Sequence, residues 1–236
     1  MNHRSALVTG ASQGLGLALA RRLAGAGWSL VVDARHVDRL DSARSELGEA
    51  AIGPARIVAV AGDITDPHHR HELVAAASSI GPLHLVVNNA STLGASPLPS
   101  VLELDVTTLH RILDVNVVAP VALIRELVGA GMLHEHAVVV NISSDAAAGA
   151  YPGWGGYGSS KAALDQIGNV LAAERPDWRV LTFDPGDMRT EMHQAAFPGE
   201  DIGDRPTPEH AAEVLVDLID SDRPSGRYST NEAAAR

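Results

Sequence analysis

The chain alternates short apolar runs rich in β-branched residues with longer stretches whose apolar positions recur at helical spacing. "ALVTG" (6–10) precedes a helical pattern from Gly14 to about Ala26, and "SLVVDA" (29–34) precedes one from about Val37 to Leu47. "RIVAVAG" (56–62) is followed by a pattern from about Pro67 to Ser79. "LHLVVNNA" (83–90) leads through a Pro-broken loop to a long helix from about Leu104 to Ala130. "AVVVNISS" (137–144) leads to a helix from about Gly158 to Ala173, and "WRVLTFDPG" (178–186) is a sixth run. The runs lack strict alternation, as expected of strands covered on both faces. Strand and helix in this order predict right-handed crossovers and a doubly wound, mostly parallel sheet of six or seven strands.

No repeat or low-complexity linker divides residues 1–236, so one domain is expected. Residues 189–207 hold Pro198, Pro206 and several glycines without a period, which suits a lid over a site. Residues 224–236 are weak in pattern and are expected to be a loosely ordered tail that lacks a final strand.

Composition narrows the function classes. Hydrophobic residues make up 45% of the 236, enough for a core, yet aromatics are 3%, so Ala, Val, Leu and Ile must fill it. The formal net charge of −11 argues against nucleic acid or an anionic membrane as partner. The absence of cysteine excludes disulfides, zinc–thiolate sites and thiol nucleophiles. No secretory pattern opens the sequence and no window approaches a membrane span, so a soluble, cytoplasmic protein is expected.

"TGASQGLG" places Gly10, Gly14 and Gly16 after the first strand and at the mouth of the first helix. A strand that turns there while its backbone approaches a pyrophosphate has no room for side chains, and the free N–H groups of the helix start attract the anion. A strand-to-helix turn can use glycine for its own sake; position in an alternating chain favours nucleotide binding. The spacing is neither G-x-G-x-x-G nor a P-loop.

With "GDIT" around Asp63, "NNA" at 88–90, "DVNVVAP" around Asn116, "ISS" at 142–144, "YGSSK" and "PGDMRT", the chain resembles the short-chain dehydrogenase/reductase family, single-domain branch, from about Ser5 to Thr190. The resemblance implies a Rossmann-type fold and an NAD(P)-dependent oxidoreductase acting on a small alcohol or carbonyl, with no metal. A homodimer or homotetramer is implied too, the dimer through the helices carrying Asn116 and Tyr157.

Tyr157 and Lys161, four apart on a helix, share one face. A cation near a phenol favours the phenolate and makes it a better base. Lys161 is the only lysine in the chain; the other 17 basic residues are arginines. An ammonium approaches a tyrosine and vicinal ribose hydroxyls as a point charge, whereas arginine's fork matches carboxylates and phosphates. Ser144 lies thirteen residues before Tyr157 at a strand end, and Ser143 would point to the other side. A surface Tyr–Lys contact is the bland alternative; the lone lysine and the serine weigh against it. By resemblance Ser144 bonds the substrate oxygen, Tyr157 passes the proton, Lys161 positions the nicotinamide ribose, and Asn116, at a helix irregularity, anchors a relay water.

The end of the second strand bears on the cofactor. Asp33 resembles the acid that accepts NAD's ribose hydroxyls, but the family's position for it falls on Ala34, and Arg35 follows where a 2′-phosphate would sit. NADP is therefore favoured and NAD is the alternative, although Gln13 stands where a second base is often found. By resemblance the cofactor is held by Gly10, Ser12, Gln13, Gly14, Leu15, Gly16, Arg35, Asp63, Ile64, Asn89, Ala90, Ser91, Tyr157, Lys161, Pro185, Gly186, Met188 and Thr190. Asp63 is expected at the adenine amino group, and Thr190 at the carboxamide or phosphates. Ser91 replaces the family's usual glycine.

His68, His69 and His71 are read as lying on a surface helix rather than at a metal. Tyr151, Trp154, Met188, Met192 and His193 are candidates for the substrate pocket or for ordinary packing. A nucleotide-sensing regulator that lacks turnover is the alternative function, opposed by the intact Asn116, Ser144, Tyr157 and Lys161. An epimerase or dehydratase of the longer branch is opposed by the glycine spacing.

Overall fold

The structure is a computed structural model and describes residues 4–234. Strands β1 (Ser5–Val8), β2 (Ser29–Ala34), β3 (Ile57–Ala61), β4 (Leu83–Asn88), β5 (Leu133–Ile142), β6 (Arg179–Asp184) and β7 (Gly226–Ser229) form one sheet in the order β3-β2-β1-β4-β5-β6-β7. All six pairings are parallel. Helices α1 (Gly14–Gly25), α2 (Val37–Ala50), α3 (Pro67–Ile80), α4 (Val106–Leu113), α5 (Ala119–Gly129), α6 (Gly155–Glu174), α7 (Glu191–Ala196), α8 (Pro208–Asp220) and α9 (Thr230–Ala234) connect or follow the strands.

Side chains alternate across each strand, so both faces can be followed residue by residue. Ala6, Val8, Leu30, Val32, Leu85 and Val87 join the core under α1 and α8, with Leu19, Leu23, Leu215 and Leu218. Leu7, Val31, Val86 and Val139 join the core on the other face, with Leu73 of α3 and Leu123 and Leu127 of α5. This is the doubly wound arrangement that the unbroken apolar runs predict. The sheet order reverses between β1 and β4, and the carboxyl ends of these strands open a crevice there.

The irregularity expected at Asn116 is a π-helical turn, Asp114–Val118, that separates α4 from α5. Two elements differ from the sequence reading. Residues 189–207 are not all loop, because Thr190 caps α7 by accepting from the His193 N–H. The tail is built into the sheet: β7 pairs with β6 at Leu181↔Gly226, Thr182↔Arg227 and Phe183↔Tyr228, and α9 follows. A four-residue edge strand of mixed burial leaves little hydrophobic pattern to read. Residues 235 and 236 of the expected tail lie outside the described residues.

Candidate active site

The glycine loop is tied down before any ligand is considered. Thr9 Oγ1 accepts from the N–H groups of Asn89 and Ala90, at 3.0 Å each. Asn89 Nδ2 donates to the carbonyls of Thr9 (2.7 Å) and Gly10 (3.0 Å). Gly10 has φ +66°, and a Cβ there would sit 2.9 Å from Ala90 Cα. Gly14, at φ +55°, faces open space apart from the Thr190 side chain. A Cβ on Gly16 would lie 2.4 Å from the Gly10 carbonyl oxygen, so Gly16 serves the packing of loop on helix. The first turn of α1 has no side-chain cap and no acid, which leaves its N–H groups available to an anion.

From this loop a cleft of about 1270 Å³ runs to α6 and α7. Such a volume exceeds the usual range for one small ligand and suits a dinucleotide with a substrate beside it. It is lined by Gly10, Ser12, Gln13, Gly14, Leu15, Arg35, Asp63, Ile64, Asn89, Ala90, Ser91, Ser144, Tyr157, Lys161, Pro185, Gly186, Met188 and Thr190. Of the predicted catalytic and cofactor residues, Gly16 and Asn116 do not line it. Tyr151, Trp154, Met192 and His193 do, and Trp154 stands edge-on to Tyr157 at 5.7 Å. An uncapped helix start, an open left-handed glycine and a long cleft fit a dinucleotide.

At the outer end, Asp33 is buried and its Oδ1 accepts from the Gly10 N–H at 2.7 Å. Arg35 is exposed beside it. Sequence reasoning missed Arg39, one turn into α2, whose guanidinium donates to the Gln13 side chain and to Glu191 Oε2 (2.8 Å). A base thus does reach the Gln13 position, from another element. Asp63 Oδ1 accepts from the Thr65 N–H (2.9 Å) and hydroxyl (2.7 Å), leaving Oδ2 for a ligand. Burial would raise the Asp63 carboxyl, but the Thr65 bonds and the charges of Arg35 and Arg111 hold it below its usual value. His69, expected on the surface, is 3% exposed and bonds Asp33. Among the described residues no group of three His, Cys, Asp or Glu is arranged to hold a metal.

At the inner end, Tyr157 and Lys161 are both buried on α6. Lys161 Nζ donates to the Ile142 carbonyl at 2.7 Å and lies 5.4 Å from the centre of the Tyr157 ring. The expectation that lysine makes this phenol more acidic is not met in this geometry. Burial pushes the phenol well above its usual value, helped by Asp184 and Asp145, and a hydrogen bond to Ser91 pulls the other way. Burial also presses the Lys161 ammonium down to about 8, against the pull of Asp165.

Ser144 Oγ donates to Asp145 Oδ1 at 3.0 Å and accepts from the Ala146 N–H. Ser143 lines the cleft as well, with a buried hydroxyl that has no partner among the described residues. All the bonding capacity of the Asn116 side chain is used. Its Oδ1 accepts from Thr92 N (2.9 Å) and Ser91 Oγ (3.2 Å), and its Nδ2 donates to Thr92 O (3.0 Å) and Ser160 Oγ (2.9 Å). It therefore holds the loop after β4 against α6.

The built-in tail also reaches the site. Arg227 of β7 donates to the Ser144 carbonyl (2.9 Å), to Asp184 Oδ2 (2.9 Å) and to Asp165 Oδ2 (3.2 Å). Asp184 Oδ1 in turn accepts from the Gly186 N–H at 3.1 Å. Thr230 Oγ1 donates to the Pro185 carbonyl at 2.8 Å.

A short chain dehydrogenase family model matches residues 4–201. The chain belongs to the short-chain dehydrogenase/reductase family. It is 33% identical over 190 residues to serine 3-dehydrogenase of Agrobacterium fabrum, covering 79% of this chain and 72% of that protein. It is 34% identical over 203 residues to sepiapterin reductase of Bos taurus, covering 80% and 74%. Among solved structures, a short chain dehydrogenase of Shigella flexneri complexed with NADP superposes with a TM-score of 0.87 at 26% identity, covering 98% of each chain. An alcohol dehydrogenase of Thermococcus sibiricus complexed with 5-hydroxy-NADP gives 0.81 at 26% identity, covering 97% and 96%. Among the described residues no helix is long and apolar enough to cross a membrane.

Proposed function

We propose that this chain is an NADP-dependent oxidoreductase that interconverts a secondary alcohol and a carbonyl, with Tyr157 as acid and base. The observation that carries the reading is the pairing of buried Tyr157 and Lys161, one helical turn apart, at the inner end of a cleft that begins at an uncapped glycine loop. A nicotinamide dinucleotide bound there supplies or takes the hydride at the carbonyl carbon. The amides of Gly14 and Leu15 would meet its pyrophosphate, Arg35 and Arg39 its 2′-phosphate, and Asp63 its adenine. Asn89, Ala90, Ser91, Pro185, Gly186, Met188 and Thr190 would enclose the remainder. Two arginines, Arg35 just past β2 and Arg39 on α2, and an Asp33 already committed to protein groups support NADP over NAD.

A phenol held above its usual value enters carbonyl reduction already protonated. Tyr157 gives that proton to the developing alkoxide while Ser144, turning from Asp145, bonds the same oxygen. Lys161, which donates to the Ile142 carbonyl, would donate to the ribose hydroxyls of a bound cofactor and support the phenolate left behind. Asn116 acts through the π-helical turn, since its side chain is fully engaged. The dinucleotide-binding and catalytic parts form one domain. Exposed Val106, Val118, Val121, Val128 and Val170 on α4, the π-turn, α5 and α6 support assembly through those helices.

Tyr157→Phe tests the reading. Turnover of a carbonyl panel with NADPH should fall by roughly three or more powers of ten, while NADPH binding changes by less than about threefold. Near-normal turnover in that variant would remove Tyr157 from the chemistry.

A further inference from the structure

Two residues flagged in the sequence and left over by the nucleotide reading, Asp33 and His69, meet in the structure. Both are buried, at 2% and 3% exposure. The Asp33 carboxylate is divided: Oδ1 accepts from the Gly10 N–H at 2.7 Å, and Oδ2 lies 3.0 Å from His69 Nε2. A carboxylate only accepts, so for this contact to be a hydrogen bond to a carboxylate the imidazole donates from Nε2. Gly62 makes room for the ring, since a Cβ there would lie 2.2 Å from His69 Nδ1. On α3 the row 69, 73, 77 faces inward, and its other members, Leu73 and Ala77, are apolar. A histidine in such a row needs a polar partner, and Asp33 is it.

Without the imidazole, Asp33 Oδ2 would be a buried charge with no partner, which is costly. Asp33 forms part of the cleft wall, so the carboxylate has somewhere to turn. Turned outward, it would repel a 2′-phosphate and offer itself to free ribose hydroxyls. We infer that His69 is a positioning residue that sets cofactor selectivity by holding Asp33. It fixes one oxygen on the glycine loop, engages the other, and leaves Arg35 and Arg39 to decide the recognition at the end of β2. This inference rests on the NADP reading above.

Equilibrium titration of NADPH and of NADH, followed by nicotinamide fluorescence without turnover, tests it. His69→Val should weaken NADPH by about tenfold or more while NADH changes by less than about twofold or tightens, because a like charge now faces the phosphate. Adding Asp33→Asn should restore NADPH to within about threefold, since the Asn oxygen still accepts from Gly10 and carries no charge. A merely structural role weakens both cofactors in proportion and is not rescued. An unchanged NADPH/NADH ratio in His69→Val, or no rescue, overturns the inference.

Should His69→Val fail to fold, Asp33→Asn alone decides. NADPH at least as tight as in the wild type upholds the role, and weaker NADPH overturns it. The wild-type ratio reports separately on the cofactor reading: a preference for NADH removes that reading, whereas a shift on His69→Val still upholds the clamp.

Discussion

Lys161 is 1% exposed, and its ammonium donates to the Ile142 carbonyl. Burial lowers its pKa to about 8 from 10.5. The folded value is the lower one, so between the two values the unfolded chain binds more protons and stability rises with pH. Below pH 8 the charged lysine is carried in both states and its full burial cost of about 3 kcal/mol opposes folding. Between pH 7 and pH 10 about 2–3 kcal/mol of that cost should be relieved. For a chain of this size that is roughly 5–10 °C in melting temperature. The raised Tyr157 phenol acts in the opposite sense only above its ordinary value of 10.0, outside this window. The assay is thermal unfolding of the cofactor-free protein at pH 7, 8, 9 and 10, beside Lys161→Met, which keeps the volume and cannot titrate. The melting temperature of Lys161→Met minus that of the wild type should shrink steadily toward pH 10. A difference that stays flat over this range would show that burial of Lys161 carries no such cost.

Other residues give sharper and smaller tests. Gly16→Ala forces a methyl to within 2.4 Å of the Gly10 carbonyl oxygen, so it should destabilise by about 1–3 kcal/mol in chemical unfolding and weaken NADPH in fluorescence titration. Arg227→Met leaves buried Asp184 without its cation and frees the Ser144 carbonyl. It should cost about 1–3 kcal/mol of unfolding free energy and lower kcat more than cofactor affinity. Ser91→Gly removes the bond that favours the Tyr157 phenolate. The pH of half-maximal alcohol oxidation should then move up in a rate–pH profile.

What could be read along the chain is what depends on short spacing. Tyr157 and Lys161 share a face because a helix repeats every 3.6 residues, and the glycine loop is eight consecutive residues. The two-faced sheet follows from unbroken apolar runs. Asn116 was legible as an irregularity but not as the four-bond brace it is, since its partners come from the loop after β4 and from α6. Arg39 reaches Gln13 and Glu191 from a helix that looks in sequence like an ordinary solvated face. His69 looked like a surface residue because the helical period of α3 is blurred by three histidines and an arginine at its start, of which His69 and Arg70 turn inward. Arg227 makes its contacts 43, 62 and 83 residues away, separations that no local pattern encodes.

The lone lysine shows how the two kinds of information combine. Composition marks Lys161 as an exception, and chemistry explains why an ammonium suits a ribose and a phenol. The structure adds a reason of space and of hydrogen-bond count. The site is closed around the side chain and provides the Ile142 carbonyl for one N–H. A guanidinium would bring five donors into a place with one acceptor, and each donor left unmet inside the protein costs about 1–3 kcal/mol. An ammonium carries three donors and gives one of them to the Ile142 carbonyl, and burial depresses its pKa. Vicinal ribose hydroxyls would supply the missing acceptors. A ribose that accepted from the ammonium would offset part of its burial cost, which ties the stability of the site to its affinity for the cofactor.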